Sequence, residues 1–154
     1  MRFNMSQLVF AALFVLSACT PKQEGMEDPK RRLNDYISQS FAVRGPEDRK
    51  QLTSFLTGEA KTRLDAWSDD QFRHAFMDAK RQFIKFSPKE VKPISAHEVS
   101  ITYELSYTDQ GRGHDAKVTH RKLARLVQEQ GKWLISEVSN IKELVEYRNE
   151  MSLP

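Results

Sequence analysis

Residues 98–108 read EVSITYELSYT, and their side chains alternate between polar and apolar along the whole stretch. The apolar and aromatic side chains occupy every second position: Val99, Ile101, Tyr103, Leu105 and Tyr107. Successive side chains of a β-strand point to opposite faces, so a period of two places this set on one face. The stretch therefore predicts a strand of an antiparallel sheet, with one face buried and the other in solvent.

Two further strands are predicted downstream of this stretch. Residues 109–113 are polar and Gly-rich, which predicts a turn, and a long strand is expected at residues 114–128. Residues 130–131, Gln-Gly, predict a second turn, which leads into a strand at residues 133–141. Short turns of this kind connect neighbouring antiparallel strands, so the pattern indicates a meander.

The two ends of the predicted sheet are less regular. Residues 81–86 contain three large apolar side chains, but Pro88 and Pro93 interrupt the pattern that follows. The sheet is therefore expected to have three to four strands. Residues 142–149 fit either a short terminal helix or an extended tail.

Three helices are predicted before the sheet. Apolar side chains ahead of residue 80 recur every three to four positions, as in amphipathic helices. Asp28 is a candidate N-cap with proline directly after it, and Ser68 with Gln71 matches a capping box. Gly58 is expected to break or kink the helical pattern.

Helices followed by a meander of strands define an α+β domain with its helices on one face of the sheet. The order resembles the nuclear transport factor 2-like fold, a cone of three helices wrapped by a bent sheet. The likeness is carried by "VSITYELSY", the turn after it, "KVTHRKLARLVQ" and "GKWLISEV". It implies three N-terminal helices packed on a bent antiparallel sheet of three to four strands, within a single domain at residues 28–150. A different helix-plus-meander fold is the alternative.

The first eighteen residues have the order of a secretory signal: a positive residue, an apolar run at residues 8–16, and small residues before the cut. A helix of this apolar length spans roughly 14–18 Å, against about 30 Å of hydrocarbon in a bilayer, so it is too short to cross. The cut site reads Leu16-Ser17-Ala18-Cys19 and resembles the lipobox of bacterial lipoproteins at all four positions.

The lipobox resemblance implies cleavage between Ala18 and Cys19 and lipidation of the Cys19 thiol. Two or three acyl chains anchor a protein stably, whereas one binds only marginally. Residues 19–27 are polar and lack a helical or strand period, so we expect a flexible tether. In Gram-negative lipoproteins Asp after the cysteine favours inner-membrane retention. Thr20 stands there, which favours the periplasmic side of the outer membrane.

Composition narrows the possible chemistry. The formal net charge is +3 at pH 7, which is only mildly basic and does not require nucleic acid as a partner. Cys19 is the single cysteine, so its lipidation leaves no thiol for a disulfide, a zinc site or a nucleophile. The sequence contains no motif that indicates a cofactor.

A ligand pocket between the sheet and the first helix is one candidate site. Four aromatic side chains are candidates for its lining: Tyr36, Tyr103, Tyr107 and Trp133. Pockets combine apolar walls with a few polar groups, and tyrosine supplies both. Alternatively, these residues complete the core and point their polar ends at its rim.

The best catalytic candidates are His114, Asp115 and His120. The two histidines are six residues apart, so a regular strand places them on the same face. Their spacing matches no zinc motif, and no nucleophile or phosphate-loop motif is present. We therefore predict no catalytic residues and no metal site.

A basic strand face is the third candidate. Lys117, Arg121 and Arg125 share one face of the strand predicted at residues 114–128. Such a face, held near a bilayer, would meet anionic lipid, peptidoglycan carboxylates or an acidic envelope protein. The alternative is a solvated outer face on which Glu104, Glu129 and Glu137 pair with these cations.

Taken together, these features predict a lipid-anchored, non-enzymatic binding or scaffold module of the cell envelope. The alternative is an enzyme of the isomerase or dehydratase type, because such enzymes are built on the cone fold that the chain resembles. That alternative requires a carboxylate or a histidine inside the pocket with a shifted pKa.

The lipidation prediction is tested with Cys19→Ala. The wild-type chain should begin at an acylated Cys19 and fractionate with membranes, whereas the variant should lack the lipid because it has no thiol to modify. Intact-mass spectrometry measures both, with Thr20→Ala as a matched control that keeps the lipid. An unmodified thiol in the wild type, with the leading eighteen residues still attached, contradicts the prediction.

Overall fold

The computed structural model describes residues 28–112 and 116–147. Within them the helical layer consists of four short α-helices: α1 (Pro29–Phe41), α2 (Arg49–Thr53), α3 (Gly58–Asp65) and α4 (Asp69–Arg73). A 3₁₀ turn at Pro46–Asp48 precedes α2, and a π-helical turn at His74–Asp78 follows α4. The predicted signal, lipobox and tether lie outside the described residues.

The expected helix signals are confirmed. The Asp28 side chain accepts a hydrogen bond from the Lys30 N–H at 2.9 Å, with proline in the first turn of α1. Ser68 and Gln71 form the capping box at the start of α4, with bonds of 3.2 and 2.8 Å. Gly58 has φ of +52°, a left-handed conformation that glycine adopts readily, so the chain changes direction there.

The helices precede a single antiparallel sheet whose strands follow chain order, β1-β2-β3-β4. The strands are β1 (Arg81–Ser95), β2 (Glu98–Asp109), β3 (Ala116–Glu129) and β4 (Lys132–Glu146). A 3₁₀ turn at Gln110–Arg112 follows β2. The alternation in β2 is confirmed: its odd-numbered residues from Val99 to Asp109 are buried and its even-numbered residues are partly exposed.

The expectation of a nuclear transport factor 2-like cone is wrong. That fold was expected to have three helices wrapped by a bent sheet. The described residues form four α-helices with a π-helical turn, all before one four-stranded meander. The helical region is divided more often than its periodicity indicated, because Pro46, Gly58 and Ser68 each begin a new short element.

Both outer strands are longer than predicted. β1 runs through Pro88 and Pro93 because it is an edge strand that pairs only with β2, so a missing N–H is tolerated. Register shifts at Pro88/Glu90 and Pro93/Ser95 absorb the irregularity. At the other edge, β4 continues to Glu146 by pairing with the start of β3, so this tail is a strand.

The core lies between the inner face of the sheet and the helices. Its largest fully buried side chains come from both layers: Phe72, Leu33, Leu52, Ile101, Leu126, Ile135 and Val118. The Ile135 N–H donates to the Phe55 carbonyl at 2.9 Å, and the Thr57 N–H donates to the Ile135 carbonyl at 2.9 Å. Backbone hydrogen bonds therefore join the segment after α2 directly to β4.

Ile101→Ala tests this assignment of the core. Ile101 is fully buried, so its truncation should lower the free energy of unfolding by about 2–5 kcal/mol. Ile141→Ala is the matched control, because Ile141 on β4 is 55% exposed and should change stability by less than about 0.5 kcal/mol. Urea denaturation measures both. Equal effects of the two substitutions would contradict the described strand faces.

Candidate functional site

A cavity of about 170 Å³ lies between α1 and the inner face of the sheet. α1 provides one wall, β2, β3 and β4 provide the other, and the π-helical turn and the start of β1 close one side. The lining residues are Tyr36, Ile37, Ser40, Phe41, Phe76, Arg81, Tyr103, Leu105, Lys122 and Val138. The cavity therefore combines apolar walls with hydroxyl groups and two basic side chains.

Two of the predicted pocket residues, Tyr36 and Tyr103, line this cavity. Burial raises the pKa of Tyr36 above its ordinary value. Burial also raises the pKa of Tyr103, and the neighbouring Tyr36 phenol raises it further. Both phenols are therefore neutral at physiological pH and available as hydrogen-bond donors. Within the described part of the chain, neither hydroxyl has a hydrogen-bond partner.

Lys122 and Arg81 are the cationic groups of the cavity. The pKa of Lys122 is lowered mainly by burial and further by the positive charge of Arg81, while Glu143 acts in the opposite direction. No other residue in the described ranges forms a hydrogen bond or ion pair with the Lys122 amine. Arg81 donates to the Ala75 carbonyl, and its guanidinium carbon lies 5.6 Å from the centre of the Tyr107 ring.

Lys122 was not among the candidate residues predicted from the sequence. The even-numbered residues of β3 are mostly buried, among them Ala116, Val118, Ala124 and Leu126. Lys122 shares their parity and pairs with Tyr103 of β2, so it lies on the inner face. The alternation of small and apolar residues along β3 is the signal that identifies this position.

His120 also occupies an even-numbered position of β3, and it is buried. Its Nε2 lies 3.1 Å from the Tyr107 hydroxyl and 3.3 Å from Glu143 Oε2, and its ring stacks on that of Tyr107 at 5.8 Å. His120 and Glu143 do not line the cavity beneath α1. The three side chains therefore form a polar cluster beside the cavity, in which Tyr107 and His120 are buried and Glu143 is exposed.

The other two predicted pocket residues do not line the cavity. Tyr107 is buried, with the Phe41 ring at 5.8 Å and the Arg81 guanidinium against it. Trp133 is buried at the other end of the sheet, where it pairs with Gln128. The expectation that these four aromatic residues share one pocket is therefore only half met.

The basic strand face lies on the outer side of the sheet, and each of its three cations has a carboxylate partner. Lys117 contacts Glu146 at 2.9 Å and Arg121 contacts Glu104 at 2.8 Å. Arg125 lies 3.5 Å from one carboxylate and 3.9 Å from another, those of Glu98 and Glu137. The face thus carries alternating charges of both signs.

Glu104 is at the centre of this outer network. It also contacts Lys89 of β1 at 3.0 Å. The hydrogen bond from Arg121, and then that from Lys89, lowers the pKa of Glu104. Glu129, the remaining acid expected to pair with the basic face, instead accepts a hydrogen bond from the Thr57 hydroxyl at 2.9 Å. Exposed pairs of this kind contribute about 0–1 kcal/mol each.

Four residues of the sequence predictions lie outside the described ranges: Ala18, Cys19, His114 and Asp115. Among residues 28–112 and 116–147, no group of three or more His, Cys, Asp or Glu side chains is placed to hold a metal ion. In the same ranges, no helix has the length and apolar character needed to span a bilayer.

Comparison with known proteins identifies no family. No family model matches the chain, and no curated protein matches it. A SEC-C motif containing protein from Rhodopseudomonas palustris is similar in structure, with 15% identity, a TM-score of 0.49, and coverage of 72% of this chain and 73% of that one. The intermembrane space region of chloroplast protein ARC6 has 17% identity, a TM-score of 0.48, and coverage of 74% and 96%. Likenesses this distant carry no argument about function.

Lys122→Met tests the electrostatics of the cavity. Because the pKa of Lys122 is lowered from its ordinary 10.5, the folded state binds fewer protons than the unfolded state in the window below 10.5. The charged form is penalised at low pH, and the penalty is relieved as the pH rises through the folded-state pKa. Relative to the wild type, Lys122→Met should be most stabilising near neutral pH, and its advantage should shrink as the pH approaches 10.5.

Urea denaturation midpoints across this pH range provide the measurement. Lys85→Met is the matched control, because Lys85 is exposed on β1 and lies outside the cavity lining. If the two variants show the same pH profile, the Lys122 amine is not held in a desolvated position.

Proposed function

We propose that this domain is a lipid-anchored, non-enzymatic binding module of the bacterial cell envelope that holds a small amphipathic molecule in the cavity beneath α1. The observation that carries the proposal is the cavity lining. Apolar side chains surround Lys122 and the phenols of Tyr36 and Tyr103, and these three groups have no partner among the described residues. Sites for small molecules combine apolar walls with a few polar groups, and these three groups supply the polar part of the lining.

The size of the cavity limits its ligand. A cavity of roughly 150 Å³ in another protein accommodates benzene, whereas drug-sized pockets measure about 300–1,000 Å³. At about 170 Å³ this cavity accommodates one ring or a short branched chain. The ligand is therefore of metabolite size, and a long acyl chain or a glycan strand does not fit.

The outer basic face is a weaker basis for the binding role. Lys117, Arg121 and Arg125 each lie within 4 Å of a carboxylate, so anionic lipid, peptidoglycan or an acidic envelope protein would have to displace an internal partner. Lys122, in contrast, has no such partner in the described ranges. The inner face is thus better suited to attract a negative group.

An isomerase or dehydratase on the same scaffold is the alternative. The described lining residues of the cavity include no carboxylate and no histidine, and His120 with Glu143 lies beside the cavity. A general base would have to reach the ligand from one of these positions. The lining favours binding over catalysis.

The proposed function includes a location at the bacterial outer membrane. The lipobox at residues 16–19 supports attachment of the mature N-terminus to a membrane, and Thr20 favours the outer membrane. Residues 19–27 would then hold the domain at most roughly 25–30 Å from the bilayer, on the periplasmic side. The partners are accordingly a membrane and a small envelope molecule, without nucleic acid.

Ser40→Leu tests whether the cavity is the binding site. Ser40 lines the cavity, and leucine is accepted in helices, so the substitution should fill the space while α1 is retained. Benzoate, benzamide and benzylamine form the probe panel, and NMR shifts of the Tyr36 and Phe76 rings in the full chain report binding. At least one probe should shift the wild-type signals, and none should shift those of the variant.

Ser38→Leu is the matched control. Ser38 is exposed on the same helix, so this variant should bind like the wild type. If no probe shifts the wild-type signals at millimolar concentration, the binding proposal fails.

A further inference from the structure

Resting on the proposed binding function, we propose a specific ligand class: the cavity beneath α1 selects a small monocarboxylate, with its carboxylate between Lys122 and Arg81 and a ring-sized apolar body among the side chains of α1 and β2. The inference depends on which charges line the cavity, on which donors it offers, and on how much space remains.

The charges at the cavity favour a single negative charge. Lys122 and Arg81 both line it, and the positive charge of Arg81 acts on Lys122. Glu143 is the acidic group that also acts on Lys122, although it does not line the cavity. Glu143 is exposed and lies 3.3 Å from His120 Nε2, so it offsets only part of the two positive charges, and a single carboxylate can accept hydrogen bonds from both cations. A dianion would introduce an uncompensated charge into a partly desolvated space.

The polar groups of the lining are matched to an acceptor. Lysine and arginine donate hydrogen bonds and accept none. The phenols of Tyr36 and Tyr103 are held neutral by burial and are able to donate. The Ser40 hydroxyl is the exception, because it donates its proton to the Ile37 carbonyl at 2.7 Å. An ionised carboxylate only accepts hydrogen bonds, so it fits this set better than an amine or an amide does.

Arg81 is held in position before any ligand arrives. One guanidinium nitrogen donates to the Ala75 carbonyl, and the group packs against the face of the Tyr107 ring. Tyr107 is buried and is itself close to His120 Nε2, at 3.1 Å. A fixed guanidinium loses little conformational entropy when it binds an anion, which favours binding.

The remaining lining determines the body of the ligand. The apolar residues of the cavity are Ile37, Phe41, Phe76, Leu105 and Val138. Aromatic side chains stand on either side of the space, from α1 and from the π-helical turn. With about 170 Å³ available, they enclose one ring or a branched chain of similar volume, as in an aromatic or branched-chain acid.

Isothermal titration of the full chain with benzoate and with benzamide tests the inference. The two probes have nearly the same shape and differ in charge. Benzoate should bind at least about tenfold more tightly, because hydrogen bonds to charged groups are stronger than neutral ones. Lys122→Met should weaken benzoate binding about tenfold and benzamide binding by less, so that the preference for benzoate falls. Lys85→Met is the control, since Lys85 is exposed and lies outside the cavity lining.

The possible results distinguish a wrong ligand class from a wrong binding function. If benzamide or benzylamine binds as tightly as benzoate, the carboxylate preference is wrong while the binding function stands. If phenylphosphate binds more tightly than benzoate at a pH where it is a dianion, the monoanion assignment is wrong. If none of the probes binds, the proposed function fails together with this inference. Lys122→Arg retains a cation and should keep the preference for benzoate over benzamide.

Discussion

The two-residue period of β2 and β3 is the constraint on which the rest of the domain depends. Antiparallel pairing puts Ile101 opposite Ala124 and Val99 opposite Leu126, and all four are buried on the inner face. A slip of one residue in either strand would move this apolar set into solvent. The register of β2 and β3 therefore determines both the inner face, on which the helices pack, and the outer face, which carries the ion pairs.

The helices cover this surface in short pieces. A strand advances about 3.3 Å per residue and a helix about 1.5 Å, so strands of 12–15 residues are far longer than the helices that pack on them. Arg49 ties two of these pieces together, donating to the Trp67 carbonyl at 2.9 Å and lying 4.9 Å from the centre of the Phe72 ring. Beneath α1, the inner-face position 122 of β3 holds a lysine, and this lysine lines the cavity.

Sequence patterns predicted what depends on neighbouring residues and missed what depends on packing. The alternation of β2, the caps at Asp28 and Ser68 and the break at Gly58 are local, and all were predicted correctly. The continuation of β1 through its prolines follows from its place at the sheet edge, which no local pattern reveals. The cone-family assignment failed for a related reason, since periodicity does not show where a helical stretch is divided.

Only part of the cavity lining was predicted from the sequence, because the rest depends on packing. Tyr36 and Tyr103 were identified from their residue type, but Arg81 enters the site only because β1 starts beside the π-helical turn. Lys122 was predictable from the parity of β3, but only the outward-facing cations of this strand were named as candidates. Lys122 occupies an even-numbered position on the inner face of β3, whereas Lys117, Arg121 and Arg125 occupy odd-numbered positions on its outer face.

That separation is the strongest physical argument for a functional inner face. On the outer face, Arg121 is exposed and paired, so its charge is solvated and its contribution to stability is small. On the inner face, burial and the positive charge of Arg81 lower the pKa of Lys122, and the amine forms no hydrogen bond or ion pair within the described ranges, although the Glu143 charge acts in its favour. An apolar residue there would remove the desolvation penalty and fill space, so folding alone does not explain the lysine. The proposed anion would explain it, because the charge that burial makes unfavourable is the charge that would attract the ligand.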